Sequence, residues 1–182
     1  MMNKPRIYYS TPYSSEKDLG RAYNDFAALV PDDAWLCLMD ADTMPTVPDY
    51  GWLIEQVIIQ NPHVSAFTAT TNRVKCKWQL APVDWSNDDM CYHRIKGYEF
   101  ALMHGSKVED VTSLHVFSGF FLCIKKSLWE KIGGAKEGAI LGVDNNLHRR
   151  IRQAGERLYC ARGLYFYHWY RGGDCNDTSH LK

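Results

Sequence analysis

Trp35 to Thr43, WLCLMDADT, is the stretch on which the reading of the fold turns. Its five consecutive apolar residues, Trp35 to Met39, leave no polar face, so a strand built from them must be covered on both sides. The carboxylates Asp40 and Asp42 follow at once, at the strand end where open α/β sheets collect their ligands. On the N-terminal side, Leu19, Tyr23, Phe26 and Val30 recur at spacings of four, three and four, which predicts a helix across Ser15–Val30. Ser15 and Asp18 are candidates to cap its start, and Pro31-Asp32-Asp33 breaks it. Before it, Arg6 to Ser10 (RIYYS) is a short β-prone run ended by Thr11-Pro12. Beyond Pro45 and Pro48, Tyr50 to Gln60 reads as a helix and Val64 to Thr70 as a strand.

The pattern then lapses. Thr71 to Val116 holds His93, His104 and His115, Trp78 and Trp85, and the acidic cluster Asp84, Asp88 and Asp89, with one helix expected around Lys96–His104. A loop-rich insertion of this length usually carries function. Regularity returns with a strand at Ser118–Ile124 and a helix at Ser127–Ile132, where Ser127 and Glu130 have capping-box spacing and Gly133-Gly134 marks the stop. Asp144 opens another helix with the face Leu147, Ile151 and Ala154 and the stop Gly155. Arg157–Cys160 and Leu164–Tyr170 read as two further strands. The alternation predicts an α/β fold: a mainly parallel sheet flanked by helices in a single domain, 1–182, with residues 71–116 as an acceptor-side insertion and 172–182 as a flexible tail.

Composition excludes several classes. The 182 residues carry 21 basic and 21 acidic side chains, and a net charge of zero argues against a nucleic-acid partner or a membrane surface. With 46% hydrophobic residues the chain can bury a core of its own. It has no run of roughly 18 apolar residues and hence no transmembrane segment, and Met1–Tyr13 lacks the apolar core of a secretory signal, so a cytoplasmic location is expected. The six cysteines, Cys37, Cys76, Cys91, Cys123, Cys160 and Cys175, contain no C-x-x-C pair, and the spacings of His93, His104 and His115 fit no common zinc pattern.

Asp-x-Asp after a strand is by itself either a ligand-binding edge or a turn whose carboxylates bind nearby backbone. Its neighbours narrow the choice. LGRAYNDFAALVPDDAWLCLMDADT, Leu19 to Thr43, resembles the helix, loop, strand and Asp-x-Asp segment of family 2 glycosyltransferases with the GT-A fold. Ser118 to His168 resembles the second half of that fold: a Gly-containing strand, a capped helix ending in Gly-Gly, the place of an acidic pair at a helix start, Leu, Arg and Gly spaced along that helix, and a late histidine.

The resemblance implies an inverting, metal-dependent transferase that takes a sugar from a nucleotide-diphosphate donor, UDP favoured over GDP, and gives it to a saccharide or other hydroxyl acceptor. It implies Asp42 and His168 as ligands of Mn²⁺ or, less well, Mg²⁺, and Asp40 with Ala41 on the ribose or sugar side of the donor. Asp144 matches the base of a Glu-Asp motif whose glutamate is replaced here by Val143. Thr11, Pro12 and Tyr13 match the turn that receives the nucleobase and ribose, Arg21 and Asn24 lie near the phosphates, and Gly119 lets the sugar approach the backbone. Arg171 is a further phosphate candidate, and Trp78 and Trp85 are candidate faces for an acceptor sugar. Residue chemistry leaves alternatives beside each role. Asp144 also suits a helix cap, His168 a core histidine, Arg149, Arg150 and Arg152 a solvated helix face, and the two tryptophans a loop anchor. Only about thirty residues separate Ser10 from Asp40, so the base-binding region is short. The rival to an enzyme is a degenerate transferase fold that binds a carbohydrate or a protein partner.

Overall fold

The computed structural model describes residues 4–115 and 117–170. Trp35–Met39 forms strand β2 of a sheet whose other strands are β1 (Ile7–Ser10), β3 (Thr43–Pro45), β4 (Ala66–Thr71), β5 (Val108–Asp110), β6 (Phe121–Lys125) and β7 (Tyr159–His168). Leu36 and Leu38 of β2 join one core with Tyr23, Leu128, Trp129, Leu147 and Ile151, while Trp35 and Cys37 join another with Ile54, Val57 and Phe67. The unbroken apolar run is thus a strand covered twice, as its composition requires. Helices α1 (Leu19–Ala28), α4 (Lys126–Lys131) and α5 (Val143–Gln153) supply the first cover, and α2 (Tyr50–Gln60) the second. Helix α3 (Met90–His104) lies against β7, where Phe100 packs with Tyr165 and Ala81. Both cores share one sheet, and the described residues form a single compact domain.

The sheet is mixed, which corrects the mainly parallel expectation. Its order is β1-β2-β6-β4-β7-β3, with β5 also on β7. The β1–β2 and β4–β7 pairs are parallel, whereas β6 runs antiparallel to both β2 and β4, and β3 and β5 run antiparallel to β7. Alternating apolar residues specify which face a side chain takes and not which way the strand runs. The long excursion between β4 and β6 lets the chain re-enter from the opposite end.

Local boundaries differ in four places. The first helix starts at Leu19 with Asp18 as its cap, accepting from Arg21 N at 3.0 Å, and Ser15 takes no part. The capping box is absent: Lys125 precedes α4 without a side-chain cap, and Glu130 pairs with Lys126 at 2.6 Å. The insertion is more ordered than a loop, because α3 begins at Met90, capped by Asp89, rather than at Lys96. The two last strands are one, β7, whose register against β4 shifts between Thr68 and Thr70. The expected tail, 172–182, lies outside the described residues.

Candidate metal and donor site

Strand direction assembles the site. Since β2, β4 and β7 run the same way, the residues at their carboxyl ends, Asp40, Asn72 and His168, share one edge of the sheet. The opposed strand β6 brings its amino end to the same edge, where Asp40 N donates to Phe120 O at 3.0 Å and the His168 ring stacks on Phe120 at 5.6 Å. Asp42 is held three residues beyond β2 by its own carbonyl, which accepts from Trp169 N at 2.9 Å, and Thr43 stands opposite His168 in the β3–β7 register. One ligand atom from each of Asp40, Asp42 and His168 lies within 4.8 Å of the others.

The protons of His168 follow from its partners. Nδ1 is 2.9 Å from the Arg73 carbonyl, which only accepts, so Nδ1 carries a proton. Nε2 then faces Asp42 Oδ1 at 3.2 Å. A bare imidazole nitrogen and a carboxylate oxygen are both acceptors, and that contact is satisfied either by a second ring proton or by a cation between them. Two carboxylates and one imidazole with its outer nitrogen fixed on a carbonyl form a donor set that could hold a metal ion.

Asp144 stands in the first turn of α5, beside Gly119. Its Oδ2 accepts from Gly119 N at 3.1 Å and its Oδ1 from Asn145 N at 2.8 Å. The residue preceding the helix is Gly142, so Asp144 is not its N-cap. A Cβ on Gly119 would lie 3.0 Å from the Asp144 Cβ, which explains why a residue without a side chain sits there. Electrostatics link the groups. Burial raises the Asp40 carboxyl to about 6; His168 opposes the shift, and the charges of Asp42 and Asp144 add to it. Burial likewise raises Asp144, against the two backbone donors that favour its charged form. The buried Tyr23 hydroxyl is pushed up by burial and then by both Asp40 and Asp144.

Behind this edge lies a layer that sequence reading missed. Arg73, 1% exposed, pairs through Nη1 with Asp88 at 2.7 Å, donates from Nε to the Trp85 carbonyl and lies over the Tyr167 ring. The Tyr167 hydroxyl donates to Asp88. Burial alone would raise Asp88, but the hydrogen bonds from Tyr167 and Arg73 and the Arg73 charge hold it below the ordinary carboxylate value. The buried Asn72 accepts through Oδ1 from His168 N at 2.8 Å. The available signal was position: Asn72-Arg73 follows a strand, as Asp40 does.

The remaining candidates fall elsewhere. Thr11, Pro12 and Tyr13 lie in the loop after β1, and Tyr13 is 84% exposed on a shallow cleft of about 260 Å³ shared with Glu16, Asp18, Arg21 and Asp25. Arg21 pairs with Glu16 at 3.3 Å. Asn24 donates from Nδ2 to Ala135 O at 3.1 Å and to Glu137 at 2.8 Å, and accepts from Ala135 N at 2.9 Å, so its amide clamps the loop after α4 instead of facing a phosphate. Ala41 is an exposed turn residue beside the cluster. Trp78 is half-buried against both cores and anchors its loop; Trp85 keeps 39% exposure. Arg150 is neither a solvated residue nor a phosphate clamp: its Nη1 donates to the carbonyls of Ile132, Gly133 and Gly134 at the end of α4. His93 is buried between the Tyr165 hydroxyl and the Asn87 carbonyl. Arg171 lies outside the described residues. A wider apolar groove of about 570 Å³ runs between α2 and α3, and none of the site residues lines it.

No family model matches the chain, and no curated protein matches it in sequence.

Proposed function

We propose that the chain is an inverting, metal-dependent glycosyltransferase on a GT-A-like sheet, moving a sugar from a nucleotide-diphosphate donor, UDP favoured, to a hydroxyl acceptor. The observation that carries this reading is the convergence of Asp40, Asp42 and His168 at one sheet edge, with Asp144 close enough to perturb Asp40. Asp42 and His168 would hold a divalent ion, Mn²⁺ before Mg²⁺, which would supply positive charge against the diphosphate leaving group. Asp40, at the strand end, takes the ribose or sugar side of the donor. Asp144 accepts the proton of the acceptor hydroxyl as its oxygen attacks the sugar. Its two backbone hydrogen bonds fix the carboxylate, and burial raises its pKa, which makes it a stronger base. The five cysteines among the described residues are free thiols, which suits the cytoplasm, and no helix among those residues is long and apolar enough to cross a membrane.

One observation favours the second reading, a degenerate fold that binds a carbohydrate or a protein partner: Arg21 is engaged by Glu16 and Asn24 by the loop after α4. Calorimetric titration with UDP separates the two. The enzyme reading expects binding that requires Mn²⁺ and weakens in Asp42→Ala, followed by Mn²⁺-dependent hydrolysis of one member of a nucleotide-sugar panel. Absent binding, or binding indifferent to metal, overturns it.

A further inference from the structure

Helix α3 has two apolar faces, and the fold covers one. His93, Gly97 and Phe100 point inward, with Gly97 so close to Thr46 that a Cβ there would lie 2.3 Å from the threonine Oγ1. On the opposite side, Cys91, Ile95, Tyr98 and Leu102 follow one another at spacings of four, three and four. Ile95, Tyr98 and Leu102 are 59%, 44% and 88% exposed, and Cys91 is exposed as well. A helix that is apolar all round belongs between two partners. Trp52 of α2, 58% exposed across the groove from Tyr98 and Leu102, widens the uncovered surface.

The occupant is written in the spacing and the flanking charges. Four, three, four is the d, a, d, a sequence of a heptad, with Cys91 and Tyr98 at d and Ile95 and Leu102 at a. Arg94 then falls at g and Glu99 at e. In a parallel pair of helices, g of one faces the e position five residues further along the other, and Arg94 to Glu99 is five residues. A two-fold axis along α3 therefore sets Arg94 of each copy against Glu99 of the other. An antiparallel pair sets g against g and e against e, so that Arg94 meets Ala101 and Glu99 meets Tyr92 and no opposite charges face each other. The seam is short for a coiled coil, but α3 is already folded against β7, so association does not have to form the helix. We infer that a second copy of this chain docks on the outer face of α3, making a parallel two-fold dimer with Ile95, Tyr98 and Leu102 at its seam.

Sedimentation of the full chain across a dilution series tests this. The expected species has twice the 21.0 kDa chain mass. Arg94→Glu and Glu99→Arg, both exposed substitutions, should each weaken the dimer by about tenfold or more, and the double exchange should restore it. Circular dichroism of each variant shows that the fold persists. Parallel pairing also brings the two Cys91 thiols opposite each other, so mild diamide oxidation should give a covalent dimer in the wild type and none in Cys91→Ser. A monomer at every concentration overturns the inference. So does a dimer that ignores the charge exchange, or one that never cross-links through Cys91.

Discussion

The strand-end edge and the shoulder around α1 both carry polar residues of the kinds that bind a nucleotide sugar, yet the structure uses them differently. At the edge, Asp40 and His168 stand at the ends of parallel strands and Asp42 in the turn before β3; each is held through its backbone, and one ligand atom of each lies within 4.8 Å of the others. At the shoulder, Asp18 caps α1, Arg21 pairs with Glu16 and Asn24 clamps the Ala135–Glu137 loop. A polar residue serves a ligand when rigid neighbours hold its backbone and turn a ligand atom toward other ligand atoms. It serves the fold when the nearest loop reaches it first.

The sharpest way to break this contrast is Asp144→Asn. It keeps the shape of the side chain and one of the two acceptor oxygens that Gly119 N and Asn145 N use, and removes the proposed base. Transfer should fall by about 10² to 10⁴-fold while nucleotide affinity stays near that of the wild type. Full transfer in that variant would remove Asp144 from the chemistry. Next in size is Asp88→Asn, which leaves the buried Arg73 charge without its counter-ion. Loss of a fully buried pair costs about 3–5 kcal/mol; Asp88 is half exposed, so about 2 kcal/mol is expected in urea unfolding. Smaller again is Asn24→Ala, which loses the clamp and should cost about 1 kcal/mol, with UDP affinity unchanged. If nucleotide binding falls as well, the shoulder belongs to the site after all.

The smallest effect is on pH. Asp40 titrates at about 6 in the folded chain against 3.8 ordinarily, so the folded state holds its proton the more tightly. Stability from this group is greatest below that window and is lost as pH rises through it. The metal-free protein should therefore gain thermal stability from Asp40 between pH 7 and pH 5. Thermal unfolding of wild type and Asp40→Asn at both values isolates the contribution, which the variant should lack.

Much of the architecture was legible because burial writes itself into hydrophobic pattern. WLCLM and YGWLIEQVIIQ have the boundaries of β2 and α2 in the sequence. Strand direction was not legible, since a period of two is the same read either way, and with it went the mixed sheet. Asp40, Asp42, Asp144 and His168 stood out as carboxylates and imidazole at element ends. Arg73 did not, because an arginine in an irregular stretch reads as a solvated charge until Asp88 and Tyr167 are seen closing over it. The outer face of α3 was obscured by the same irregularity: with its start placed at Lys96, Cys91 to Ile95 fell outside the helix and the heptad was cut short.

Electron paramagnetic resonance of Mn²⁺ titrated into the protein addresses the central claim most directly. The account predicts one bound ion per chain at neutral pH, released in Asp42→Ala and in His168→Ala while both variants remain folded. An unaltered titration in those variants, or no bound ion in the wild type, would contradict it.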